Sequence, residues 1–281
     1  MTRTALRRLV IGALLGTALT YAAALPALYA AQDNLLFPAA GSQAELPAAY
    51  EEVSLVTADG LHLLAAWRPP ASGRPVAVFF HGNGDSLVGA ARATEALSAA
   101  GYGVLLPEYR GYGGNPGKPG EAALYADGRA ALRWLAGKGI APAQVVLIGN
   151  SMGSGVATQL SRENRPAALV LVSPYASLPE LAAQKLPWLP ARWLVRHRFD
   201  NAAKLGGVTA PVLIVHGTAD TMIAPDHALA LARANPRARL VLMPGLDHDL
   251  AWDAGAQAIQ RDWLEAVLAV QPSQRQSPAG T

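Results

Sequence analysis

Four short runs in this chain are almost wholly apolar: Val76–Phe80, Val145–Ile148, Ala168–Val172 and Pro211–Val215. A strand with one wet face alternates polar and apolar residues, whereas a run with no polar position is a strand covered on both faces. Gly103–Leu106 and Leu240–Met243 read as further strands. Stretches of helical period stand between them: Ala90–Ala100, Ala122–Leu135, Met152–Glu163, about Pro225 to Ala234, and Ala254–Ala269. Upstream, Val53–Thr57 and Leu61–Trp67 flank Asp59-Gly60, a two-residue hairpin signal. A hairpin followed by alternating β and α units predicts an α/β fold, with a mostly parallel central sheet and helices on both faces. The tail from Gln271 is rich in Pro, Ser and Gln and predicts a loose end.

The chain has 281 residues, half of them apolar, which is enough for one large domain with a substantial core. Its net charge of +3 suggests an anionic partner, but Arg3, Arg7 and Arg8 account for it. The remainder is formally neutral and shows no concentrated basic face, so no nucleic-acid partner is expected. With no cysteine, disulfides, thiol catalysis and thiolate metal sites are excluded.

From Leu9 to Ala31 there is no charged residue. At ~1.5 Å per residue such a helix reaches roughly 34 Å, enough for a ~30 Å hydrocarbon core. The preceding arginines keep that end in the cytoplasm and put the rest across the membrane. We therefore expect a single-pass anchor over residues 1–31. The alternative is a cleaved signal sequence, which would leave a secreted or periplasmic protein. Ala22-Ala23-Ala24 and Leu28-Tyr29-Ala30 are acceptable cleavage sites.

Gly149-Asn150-Ser151-Met152-Gly153 matches G-x-S-x-G. In a chain of 27 glycines the pentapeptide alone is weak; its context gives it force. It follows the strand Val145–Ile148 directly and opens the next helix. A sharp strand-to-helix turn of this kind lifts a serine hydroxyl into reach of a substrate. An N-capping serine in an ordinary turn is the alternative.

A serine needs a histidine to take its proton and a carboxylate to orient that histidine. On open α/β sheets they follow in the order Ser, acid, His. Asp220 comes just after the strand Val212–Val215, and His248 just after Leu240–Met243. Ser151, Asp220 and His248 are thus the candidate catalytic residues, with Asp226 a rival for the acid. The turn His81-Gly82-Asn83-Gly84 follows Val76–Phe80, so the backbone amides of Asn83 and Met152 are the candidate oxyanion-hole donors. His81 is expected to shape that turn, His216 to pack at its strand end, and His62, His197 and His227 to serve surface or packing roles. Asp247-His248-Asp249 looks like a fragment of a metal site, but no H-E-x-x-H partner occurs; no metal or cofactor is expected.

As a set, Phe80-His81-Gly82-Asn83-Gly84, Glu108-Tyr109-Arg110-Gly111-Tyr112-Gly113, Gly149-Asn150-Ser151-Met152-Gly153, His216-Gly217-Thr218-Ala219-Asp220 and Gly245…His248 resemble the membrane-anchored α/β-hydrolase-domain proteins, also grouped as serine aminopeptidase-like hydrolases. The resemblance spans about residues 32–268 and includes Gln32…Pro38. It implies an α/β-hydrolase fold over 32–270 and hydrolysis of carboxylic esters, thioesters or lipid-like acyl substrates. Some such proteins remove fatty acyl groups from proteins. No residue supports peptide specificity. Acyl transfer by the same three residues, or a catalytically silent membrane-tethered binding module, are the competing functions.

Only a short segment separates Val172 from Val212, so any lid, expected over 174–206, is small. Its Leu181, Leu186, Trp188, Leu189, Trp193 and Phe199 alternate with Lys185, Arg192, Arg196 and Arg198, and Pro187 and Pro190 should split it into two short helices. Either it packs on the sheet edge with its cations in water, or Trp188 and Trp193 line an acyl pocket while the cations meet anionic headgroups.

Overall fold

A computed structural model describes residues 2–38 and 45–274. A long helix, α1 (Arg3–Leu36), comes first, then the hairpin β1 (Glu51–Val56) and β2 (His62–Arg68), and β3 (Val76–Phe80). Next are α2 (Leu87–Ala93), α3 (Glu95–Ala99), β4 (Gly103–Pro107), α4 (Glu121–Gly137), β5 (Val145–Asn150), α5 (Gly153–Asn164) and β6 (Ala168–Val172). The segment before β7 (Val212–Gly217) holds α6 (Leu178–Lys185), α7 (Ala191–Leu194) and α8 (Asn201–Leu205). The series closes with α9 (Asp226–Ala234), β8 (Arg239–Met243) and α10 (Ala254–Gln274). The strands form one eight-stranded sheet in the order β1-β2-β4-β3-β5-β6-β7-β8. β1–β2 and β2–β4 are antiparallel and every other pair is parallel.

The apolar runs do what their composition requires. In β3, Val76, Val78 and Phe80 enter the core beneath α4, α5, α8 and α9. Ala77 and Phe79, pointing the other way, enter the core beneath α2, α3 and α10. β5 divides likewise, Val145 and Leu147 to one side, Val146 and Ile148 to the other. Each Val, Leu, Ile or Phe so buried contributes about 1.5–3 kcal/mol, and the parallel register brings the C-terminal ends of β3, β5, β7 and β8 to one edge.

Four local expectations need correction. The hairpin loop has three residues, with Ala58, Asp59 and a left-handed Gly60 (φ 82°) between Thr57 and Leu61, whose backbones are paired by a 2.9 Å hydrogen bond. This is the bulged loop, whose glycine twists the strands into line. The helix expected over Ala90–Ala100 is broken at Thr94, whose hydroxyl donates back to the Ala90 and Ala91 carbonyls; such back-bonding bends a helix. The tail is helical as far as Gln274, and residues 275–281 lie outside those described. The N-terminal helix continues beyond Ala31 to Leu36, and its charged Asp33 is met by Arg196 (2.8 Å) and His197 (3.0 Å).

Further ties hold that end of α1 on the α/β domain. Gln32 donates to the Leu194 carbonyl and accepts from the Arg196 amide, and the Tyr21 hydroxyl donates to the Trp188 carbonyl. Nearer its start α1 stands clear of the domain, with Leu9, Leu14 and Leu19 exposed. It is long and apolar enough to cross a membrane.

Two buried ion pairs brace the loops at this edge of the sheet. Arg110, after β4, holds Asp127 on α4 and Asp59 in the hairpin turn, and draws the Asp59 carboxyl down to about 2. His81, fully buried at the end of β3, donates from Nδ1 to the Gly82 carbonyl (2.8 Å) and from Nε2 to Glu108 Oε1 (2.9 Å). Both ring nitrogens face acceptors, an arrangement that favours the protonated ring. Burial opposes that charge, but Glu108 and the Gly82 carbonyl outweigh it and hold the pKa above its ordinary 6.5. A raised histidine pKa stabilises the fold fully below pH 6.5, and that stability is lost as pH rises through the raised value. Glu108→Gln should therefore cost about 3 kcal/mol near pH 6 and flatten the alkaline decline of the melting temperature. Melting curves from pH 6 to 9 test this; an unchanged alkaline slope would refute it.

Candidate active site

Ser151 sits at the turn from β5 into α5 with φ 50°, a left-handed conformation that side chains rarely adopt. Its amide donates to the Val172 carbonyl (2.9 Å), and its own carbonyl receives the Ser154 amide (3.0 Å) and the Ser154 hydroxyl (2.6 Å). The flanking glycines have a steric cause. A Cβ on Gly149 would press on the Gly153 carbonyl oxygen, and one on Gly153 would collide with the Phe80 carbonyl.

His248 lies across the sheet edge from this turn. Its Nε2 is 3.0 Å from Ser151 Oγ and its Nδ1 is 2.8 Å from Asp220 Oδ2. Asp220 is buried, and its Oδ1 accepts the amides of Met222 (2.9 Å) and Ile223 (2.7 Å). Burial alone would raise the Asp220 pKa; the His216 and His248 rings and the Ile223 amide overcome this and hold it well below the ordinary carboxylate value. An anion fixed in this way holds the Nδ1 proton of His248 and leaves Nε2 free to accept one from Ser151.

The structure thus brings Ser151, Asp220 and His248 together. Asp226 is exposed in the first turn of α9, away from His248. Asp247 accepts the Thr221 and His248 amides and so shapes the loop carrying the histidine. His227 is buried and accepts the Ala176 amide, while His62 lies near Ser54. Asn83 and Met152 border the same cavity as Ser151, and among the described residues neither backbone amide has a protein acceptor. No cluster of three or more His, Cys, Asp or Glu able to hold a metal ion occurs among the described residues.

The cavity departs from expectation. Trp188 and Trp193 do not line it; they are 57% and 89% exposed. Pro187 and Pro190 break the segment into helices too short to hold one apolar face toward the sheet, and α7 turns its tryptophan outward. The apolar walls come from Leu178, Leu181, Met222 and Ile223, and from Leu35, Leu36 and Phe37 at the end of α1. Sequence reasoning also missed His216, 3.3 Å from Asp220, as a second neighbour of the acid. The adjacency of both to strand β7 was the available signal.

Comparison with known proteins agrees with this architecture. The family model "Serine aminopeptidase, S33" matches residues 71–204. An uncharacterised protein of Mycobacterium tuberculosis is 38% identical over 232 residues, covering 79% of this chain and 82% of that protein. Alpha/beta hydrolase domain-containing protein 17B of Homo sapiens is 37% identical over 131 residues, 46% of this chain and 43% of that protein. Among solved structures, the esterase Pf2001 of Pyrococcus furiosus superposes with a TM-score of 0.60 at 22% identity, covering 78% of this chain and 90% of that one. Est1E from Butyrivibrio proteoclasticus, with ferulic acid bound, superposes with a TM-score of 0.62 at 21% identity over 80% of this chain and all (100%) of that one. These two likenesses concern the fold. The chain is an enzyme of the α/β-hydrolase superfamily, shares one family with the Mycobacterium tuberculosis protein, and over residues 71–204 is similar to the serine aminopeptidase S33 model.

Proposed function

We propose that this enzyme hydrolyses carboxylic esters or thioesters of lipid-like acyl groups, with Ser151 as nucleophile, His248 as base and Asp220 as the acid that orients it. The unbroken hydrogen-bond path Ser151 Oγ–His248 Nε2 (3.0 Å) and His248 Nδ1–Asp220 Oδ2 (2.8 Å) carries the reading. Ser151 Oγ attacks the acyl carbonyl carbon as His248 takes its proton. The oxyanion is received by the amides of Asn83 and Met152. The intermediate collapses to an acyl-Ser151, and the alcohol or thiol leaves with the proton from His248. Water, deprotonated by His248, then releases the acid and restores the serine. The apolar cavity walls support an apolar acyl group.

We further infer that α1 is a single membrane anchor whose arginine-bearing end lies in the cytoplasm, with the catalytic domain on the other side. The uncharged stretch Leu9–Ala31 and the exposure of its leucines support this.

Three measurements test these readings. Ser151→Ala should abolish esterase activity and labelling by a fluorophosphonate probe, with the melting temperature kept; persistent labelling would remove Ser151 from its role. Asp220→Asn should lower kcat by roughly 10^4, and Asp226→Asn by less than about threefold; steady-state kinetics giving the reverse order would make Asp226 the acid. Full-length protein should stay with membranes through carbonate extraction, whereas a soluble product shortened at its N-terminus would establish cleavage.

A further inference from the structure

The wall of the Ser151 cavity formed by Leu35, Leu36 and Phe37 comes from outside the sheet and its crossover helices. These residues end a helix that, over most of its length, stands away from the domain. Leu36 reaches the site twice. Its half-buried side chain lines the cavity and packs on the core. Its carbonyl, one of those a helix end leaves without an internal partner, accepts the Asn83 side-chain amide at 2.9 Å. Asn83 Oδ1 accepts the Tyr112 hydroxyl at 2.7 Å, so the side chain is held from both sides.

The wall is also fixed in place. Phe37 is driven into the core beside His197 and Phe199, with ring centroids 5.1 and 6.5 Å away. One turn earlier, Asp33 is paired with Arg196 and His197. Leu35, 65% exposed, stands at the rim. The cavity itself is about 170 Å³, below the ~300–1,000 Å³ of pockets that enclose drug-sized ligands. It suits a slim alkyl chain better than a bulky ring.

We propose that Leu36, with Leu35 at the rim, is a specificity-determining residue that sets the length of the acyl chain accepted beside Ser151. The proposal rests on the Ser151 reading above. The end of α1 is therefore an acyl-binding element and not merely a tether. Enlarging residue 36 shortens the slot, and trimming it lengthens the slot.

The experiment is a chain-length profile of full-length protein in detergent micelles, using p-nitrophenyl esters from acetate to laurate. The shape of each variant's own profile is compared. Leu36→Trp should move the optimum to shorter chains and lower the octanoate-to-acetate ratio about tenfold. Leu36→Ala should move the optimum to longer chains. Leu36→Met, similar in volume, should restore the native profile. Leu35→Trp, at an exposed position that cannot unfold the domain, should shift the optimum in the same direction as Leu36→Trp and covers the case in which that variant does not fold. Opposite shifts for Trp and Ala cannot come from general loss of stability. An unchanged profile, or a parallel fall at every chain length, overturns the proposal. Failure of the Ser151 reading appears separately, as activity and labelling that survive Ser151→Ala.

Discussion

At Gly153 the first turn of α5 passes so close to the carbonyl oxygens of Phe80 and His81 that no side chain could stand between them. That approach locks β3, β5 and α5 into one unit. It turns the backbone at Ser151 into a left-handed conformation that costs on the order of 1–2 kcal/mol. The Ser151 amide on Val172 and the two Ser154 groups on the Ser151 carbonyl offset the cost. The same approach sets the turn after β3 against Ser151, since Gly82 faces Asn150 and Ser151 across the gap. Loosening any of the three elements would displace the Ser151 hydroxyl and the turn after β3 together.

The charges around the edge follow a matching logic. Asp220 is kept ionised by N–H groups that converge on it, so its negative charge is available to the histidine at any neutral pH. Beneath the turn after β3 the pattern is inverted: Glu108 and the carbonyl of Gly82 favour the protonated form of the buried His81. These two sets of hydrogen bonds stiffen the loops after β7 and β3.

Much of this was legible in the chain. The apolar runs located the central strands because a strand covered on both faces leaves no polar position. Ser151, Asp220 and His248 could be picked out because each follows its own strand on one side of the sheet. What escaped were contacts that local pattern does not carry. The outward Trp188, between α6 and α7, and Trp193, in α7, follow from two prolines, which cut the segment into pieces too short for a helical face to be read. Nothing in the uncharged run of α1 announced that its continuation would reach Ser151. That contact depends on Phe37 finding the core and on Asp33 finding Arg196, both far away in sequence.

The position of that wall bears on how the chain could be processed. Both candidate scissile positions, after Ala24 and after Ala30, lie upstream of Gln32. A peptidase cutting at either would carry off the arginines and most of the uncharged run. The residues from Gln32 to Phe37, with their ties to Arg196, His197 and Asn83, would stay on the mature protein. Tethering and substrate binding are written into one helix but on separable lengths of it, so the catalytic cleft keeps its side wall whether the enzyme is released or retained.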